Sequence, residues 1–254
     1  MKNSIIYLIV FLGLQAAAGL VVTAVWKAVT GSPDMTVYSL ITSTVLFSIL
    51  TITVFLLAHW TEVSPRWLRS RQWFVLFWSI MAAIGLILPS AWLQEQIPEL
   101  PNFVKQQFED ILGNRWGYLS IGLLAPLVEE MVFRGAILRS LLRQQPVWVA
   151  VAVSSLLFAV AHLNPAQMPH AFVVGLLLGW MYWRTGSILP GLAYHWTNNT
   201  VAYVLYNIFP VSDMKVADLF GGSMTHVVLA LFFSLMIFLP ALYQLNVWMR
   251  HADE

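Results

Sequence analysis

The chain has no cysteine among its 254 residues. Disulfides, thiolate metal sites and cysteine nucleophiles are therefore excluded, and any metal must be held by His, Asp, Glu or Asn. Charge is scarce as well: 10% of residues are charged and 59% are hydrophobic, against about 25% and about 45–50% in an ordinary soluble domain. That balance rules out a water-soluble globule. Thirteen basic and twelve acidic residues leave a net charge of +1, so there is no broad positive field to collect phosphates, and nucleic acid is excluded as a partner.

What is abundant is apolar sequence in runs of membrane-spanning length. A spanning helix takes about 20 residues, and charges, prolines and glycines divide the chain into eight such runs, at roughly 5–26, 37–59, 73–93, 118–142, 147–163, 170–183, 188–208 and 225–248. The expected fold is all-α, a polytopic membrane helical bundle of about eight transmembrane helices. It forms a single transmembrane domain over 1–254, with neither an internal repeat nor a second-domain boundary. Lys2 and the Ala16-Ala17-Ala18 stretch suggest a signal peptide, but the apolar run continues to Trp26 and reads as a retained helix. Segment 94–117 holds Pro98, Pro101 and charges interleaved with Phe103, Phe108, Ile111 and Leu112, an amphipathic pattern suited to the bilayer interface.

Alternating the loops places Lys2, Arg66, Arg69, Arg71, Arg139, Arg143, Arg184 and Arg250 on one side. Lys27, Lys105, Arg115 and Lys215 fall on the other, with most of the acids, from Asp34 and Glu95 to Asp213 and Asp218. The excess of basic residues predicts both termini on the cytoplasmic side of an inner or endomembrane bilayer, a rule that bacterial and eukaryotic membranes share; compactness and low loop content lean towards a bacterial inner membrane.

The informative residues are those that lipid penalises. The fourth run places Glu129, Glu130 and Arg134 in its apolar middle, each costing roughly 2.5–3.5 kcal/mol at a helix centre unless paired or wetted. Glu130 and Arg134, four apart with the acid first, are set to pair. Glu129 projects about 100° away around the helix and is left for another partner. Pro126, one turn earlier, allows a bend that frees backbone groups. A buried polar staple would explain one Glu–Arg pair, but a second acid beside it points to a functional chamber.

The fifth run ends Phe158-Ala159-Val160-Ala161-His162, and the seventh contains His195-Trp196-Thr197-Asn198-Asn199. His195 and Asn199 share a helical face. A lone His162 is explained as a core histidine bonded to a backbone carbonyl, whereas two histidines, an amide and a surplus glutamate together are the groups that activate water and hold an oxyanion. His59, His170, His226 and His251 sit at helix ends, loops or the tail and stay outside the expected site. Tryptophans near the run ends, such as Trp60, Trp67, Trp92, Trp148 and Trp183, read as an interfacial belt. Gly175 and Gly179 suggest close helix packing. With straight helices, His162 and His195 would differ by about 10 Å in depth. Continuing the fifth run towards Pro165 or Pro169, or starting the seventh late, would bring them together.

The ordered set Glu129-Glu130-x-x-x-Arg134, Phe158-x-x-x-His162 and His195-x-x-x-Asn199 resembles the CPBP family of intramembrane proteases. These are the type II CAAX prenyl endopeptidases and bacterial relatives associated with bacteriocin processing and self-immunity, also called the Abi family. The resemblance covers roughly 118–208. It implies an eight-helix bundle around a water-accessible chamber and peptide hydrolysis without a covalent intermediate. Glu129 would activate water, Glu130 and Arg134 would complete the acidic motif, His162 would assist or ligate metal, and His195 with Asn199 would stabilise the oxyanion. The residue chemistry allows a zinc set of Glu129, His162 and His195, with a fourth position for water, and equally a metal-free Glu–His pair. The expected partners are the bilayer and a peptide or membrane-protein substrate. Two rivals remain: a proton-coupled transporter, since intramembrane Glu and His also form relays, and a non-catalytic peptide-binding or immunity protein of the same fold.

Overall fold

The computed structural model describes residues 2–32, 34–61, 72–209 and 215–249. Arg66, Trp67, Arg69, Arg71, Asp213, Arg250 and His251, used above for orientation, the aromatic belt or the histidine survey, lie outside the described residues. All regular structure among the described residues is helical. Helix α1 spans Lys2–Thr30, α2 Val37–Leu57, α3 Gln72–Glu95 and α4 Lys105–Leu112. A long helical run, 118–142, follows as α5; then come α6 (Val147–Ala161), α7 (Met168–Thr185), α8 (Leu189–Ile208), α9 (Val216–Leu219) and α10 (Met224–Trp248).

Every apolar run predicted from the sequence is occupied by a helix. Four of these helices, rather than about eight, are by themselves long and apolar enough to cross a membrane: α1, α2, the Trp73–Glu95 part of α3, and α10. Only 17–28% of the residues in their most apolar windows are buried, so they form the rim and turn side chains such as Leu20, Val29, Leu57 and Phe233 outward. This is the solvation expected of an integral membrane protein. The other four miss the criterion for a physical reason: α6 has 15 residues, α5 is broken into short pieces of alternating helix type, and α7 and α8 carry polar residues that lower their hydropathy.

Helix α5 is the axis. Every residue from Glu130 to Leu138 is buried, and Val132, Phe133, Ile137 and Leu138 join Phe11 of α1, Phe55 of α2 and Phe158 of α6 in one core. A second core links Ala82 and Ala83 of α3, Leu178 of α7, Tyr194 of α8, and Ala241 and Leu245 of α10. Close approaches are made by glycine. A Cβ on Gly85 would lie 2.6 Å from the Phe238 backbone nitrogen, one on Gly175 2.9 Å from Ser155 Cβ, and one on Gly179 2.9 Å from Val151 Cγ1. The Gly175/Gly179 pair therefore seats α7 directly on α6, as its spacing suggested.

Side-chain ties order the helix ends. Ser4 donates to the Ile137 carbonyl, Tyr7 meets Trp60, Phe74 stacks on Trp248 and Trp148 meets Trp183. Arg184 donates to the Asn246 and Met249 carbonyls at the end of α10, as cations do at helix C-termini. Lys2, Arg139, Arg143 and Arg184 thus belong to one end of the bundle. At the other end Gln94 donates to the Ala166 carbonyl, Glu95 accepts from the Val216 amide and Asn207 donates to the Leu112 carbonyl.

Candidate active site

The site begins with an irregularity of α5. The run is π-helical over Tyr118–Leu124, α-helical over Ala125–Glu129, π-helical again over Glu130–Leu138 and α-helical over Arg139–Leu142. Pro126 stands at the start of the first α-helical piece. It has no N–H and its ring excludes the carbonyl four residues back, so the ladder changes register there. Such wide turns accompany functional positions in helices. Here the first exposes the Ile121 carbonyl to Asn199, and the second begins at Glu130.

Glu130 and Arg134 form the expected pair, with Nη1 2.8 Å from Oε1 and side chains only 0% and 1% exposed. The guanidinium also reaches the Gly175 carbonyl at 3.4 Å and lies 4.5 Å from the centroid of the Phe158 ring, a cation over an aromatic face. The missing side chain at Gly175 serves twice, admitting α6 and leaving its carbonyl within reach of Arg134.

His195 joins the two acids. Its Nδ1 lies 3.2 Å from Glu130 Oε1 and its Nε2 3.6 Å from Glu129 Oε2. A carboxylate can only accept, so Nδ1 carries a hydrogen toward Glu130 and Nε2 faces Glu129. The acids are distinguished by burial: Glu129 is 21% exposed and Glu130 fully sealed. The 3.6 Å separation suits a bridging water better than a direct bond.

His162 follows α6 as its C-terminal cap. Its Nδ1 lies 2.9 Å from the Phe158 carbonyl, which makes Nδ1 the donor and leaves Nε2 free. Neither repair of the depth mismatch occurs, because α6 ends at Ala161 and α8 begins at Leu189. Instead α6 is short, about 22 Å at 1.5 Å per residue, less than the about 30 Å of a hydrocarbon layer. Phe158 closes the remaining gap, its ring 4.9 Å from that of His162 and 5.9 Å from that of His195. Asn199 donates to the Ile121 carbonyl at 3.1 Å and accepts from Asn198 at 3.4 Å, which leaves its second amide hydrogen available.

All six expected site residues lie on the three helices α5, α6 and α8 or at their ends. Glu129, Glu130, Arg134 and His195 form one connected cluster; His162 joins it through Phe158, and Asn199 lies one turn beyond His195. The zinc set does not assemble: among the described residues no three His, Asp or Glu side chains are grouped to hold a metal ion. Glu129, His162 and His195 in this arrangement do not fit the three-ligand site drawn from the sequence.

Three participants were not anticipated. Phe158 figured only as a motif letter, yet it touches Arg134, His162 and His195. Gly191 borders Glu130, since a Cβ there would be 2.7 Å from Oε2. His170 is placed by α7 in the first turn of a helix, where His195 and His162 are its electrostatic neighbours. Proline-flanked His170 reads as a loop residue in one dimension, and only the return of α7 alongside α6 brings it to the other histidines.

Residues 112–201 match the family model described as Type II CAAX prenyl endopeptidase Rce1-like. The match takes in α5, α6, α7 and most of α8, roughly a third of the chain. No curated protein and no solved structure matches. This part of the chain therefore carries a CAAX-protease-type domain, and the matched segment contains the whole Glu–Glu–His cluster. The two findings together support a protease activity of the CAAX type.

Proposed function

We propose that the protein is an intramembrane endopeptidase that hydrolyses a peptide bond of a peptide or membrane-associated protein by a water activated between glutamate and histidine. The observation that carries this reading is His195 held by sealed Glu130 and presenting Nε2 to accessible Glu129. A carboxylate orienting an imidazole, with a second carboxylate across from it, is the arrangement of an oriented base at a water site.

Glu129 takes a proton from the water as its oxygen attacks the scissile carbonyl, and later returns it to the leaving amine. The free amide hydrogen of Asn199 is the donor available to the oxyanion, while Nε2 of His162, the acceptor of that ring, can take a hydrogen bond from the attacking water. Arg134 pairs with Glu130 and Glu130 orients His195, so neither needs to touch substrate. No step is routed through a metal. The whole chain acts as one transmembrane domain with its core at 118–208, eight helices crossing the bilayer and the basic end cytoplasmic, in a bacterial inner membrane.

The test is cleavage of a quenched-fluorescent peptide pool by the full chain in lipid, comparing wild type with Glu129→Gln and a chelator-treated sample. Glu129→Gln keeps shape and removes the base, so cleavage should fall about 10²–10⁴-fold with unchanged thermal unfolding. Cleavage retained by the variant would overturn the reading. Proton-coupled flux into sealed vesicles without cleavage would move the assignment to a transporter.

A further inference from the structure

Outside the cluster, one loop residue is better buried than its surroundings explain. Asn164 follows His162 by two residues, in the short link between α6 and α7, and is 0% exposed. Its amide is fully oriented by its neighbours. The Phe103 backbone N–H, which can only donate, fixes Oδ1 at 3.0 Å, and Nδ2 donates to Asn102 Oδ1 at 3.0 Å. Around this pair the Ala166 amide donates to the Pro101 carbonyl at 3.2 Å and Gln94 donates to the Ala166 carbonyl at 2.6 Å. The link between α6 and α7 is thereby sewn to segment 96–104, which is distant in sequence and contributes no group to the cluster.

The stitching coincides with a backbone conformation that does not hold itself. Leu163, between His162 and Asn164, has φ +52°, the left-handed region that a leucine rarely adopts. His162 is the last residue ordered by α6, its ring tied only to the Phe158 carbonyl within the same turn, and helix ends of this kind fray when nothing beyond them is anchored. A buried amide with both polar atoms matched over-determines the turn.

We infer that the Asn102–Asn164 clasp is a positioning device for the reaction: by pinning the residue two beyond His162 to segment 96–104, it holds the end of α6 so that His162 keeps its Nδ1–H on Phe158 and its Nε2 toward the site. Asn102 and Asn164 are positioning residues and touch no substrate. The inference rests on the reading of His162 as a site residue.

The experiment uses the full chain in lipid with Asn164→Leu, Asn102→Ala and Asn102→Asp, the last keeping an acceptor for Asn164 Nδ2. Two readouts are taken: kcat and KM on the quenched peptide that wild type cleaves fastest, and the 15N signals of the His162 ring, assigned with His162→Gln. Asn164→Leu should lower kcat about 100-fold, the scale of a small misplacement of a reacting group, with KM within about twofold. Its His162 signal should pass from one Nδ1–H tautomer to a mixture. Asn102→Ala, at an exposed position where folding is not at stake, should shift both readouts in the same direction by a smaller factor, and Asn102→Asp should restore wild-type values. An unchanged His162 tautomer in both Asn164→Leu and Asn102→Ala overturns the clasp whatever the cleavage data show. A wild-type kcat in both variants also overturns it, provided Glu129→Gln is inactive. Activity retained in Glu129→Gln instead counts against the proposed site and leaves the tautomer measurement to decide the clasp.

Discussion

Glu130 gives one carboxylate oxygen to Arg134 and His195 and leaves the other, Oε2, without a hydrogen-bond partner in a sealed position. An orphaned buried acceptor costs about 1–3 kcal/mol, and more when charged. Its surroundings compensate: Oε2 lies against the first turn of α8 at Gly191, the positive end of that helix. The glycine is therefore a steric requirement of the carboxylate. Gly191→Ala places a methyl group 2.7 Å from Oε2, so the carboxylate must move, and with it His195 Nδ1. Cleavage should fall at least about tenfold, since displacements well under 1 Å at a reacting group are costly. Comparing kcat of Gly191→Ala with wild type at equal folded fraction checks this; unchanged kcat would show that Glu130 tolerates the displacement.

The motif letters were legible because the membrane makes them conspicuous: a carboxylate, a guanidinium or an imidazole in an apolar run has few structural excuses. The pairing of Glu130 with Arg134 followed from spacing alone. What spacing could not deliver was His195 spanning both acids, because that contact joins residues 65 positions apart and depends on how α8 is rotated against α5. Phe158 and Gly191 were invisible for a related reason. An aromatic or a glycine in an apolar run is ordinary, and its function is defined only by what lies opposite.

Among the elements, α6 and α7 form the wall on which the site depends. Their backbones approach through Gly175 and Gly179, and the same contact leaves the Gly175 carbonyl within reach of Arg134. Gly175→Leu would drive its side chain into Ser155, and overpacking of this kind costs typically about 1–3 kcal/mol. The thermal midpoint of the full chain in lipid should fall, with cleavage lost in the fraction that remains folded. Gly13→Leu on α1, where a Cβ meets nothing within 4 Å, should leave both unchanged. Equal effects at the two glycines would mean that the α6–α7 approach has no special role.

Helix α5 shows the limits of reading elements one at a time. Its extent was legible as a single run, and Pro126 marked a disturbance, but two π-helical stretches were not foreseeable. A π-turn gives up regular bonding locally, and what stabilises it lies elsewhere in the fold, such as the Asn199 amide on the Ile121 carbonyl. Likewise, the sequence placed the end of α6 a little beyond His162, whereas the helix stops at Ala161 and the chain turns at Leu163 because Asn164 is captured by segment 96–104.

For the whole molecule, the absence of cysteine becomes an experimental advantage: any introduced thiol is the only one. Exposed Gln144 lies in the turn after α5, at the end of the bundle that carries Arg139, Arg143 and Arg184, while exposed Gln107 lies on α4 at the opposite end. If the basic end is cytoplasmic, a membrane-impermeant maleimide added to intact cells should label Gln107→Cys and spare Gln144→Cys, and inverted vesicles should reverse the pattern. Labelling of both from one side would require a different number of crossings.

Composition and hydropathy by themselves determined that this is an all-helical membrane protein, where its helices run, and which few polar residues the bilayer would not tolerate without a purpose. Those properties depend on the solvent and on neighbours within a turn or two, which a linear sequence contains. Tertiary structure decided the rest: which helices form the rim and which the axis, that His195 stands between an accessible and a sealed glutamate, that no three ligands gather for a metal among the described residues, and that a distant loop captures the end of α6. Each of these depends on the rotation and depth of one helix against another, set by glycine contacts and core packing between residues far apart in the chain.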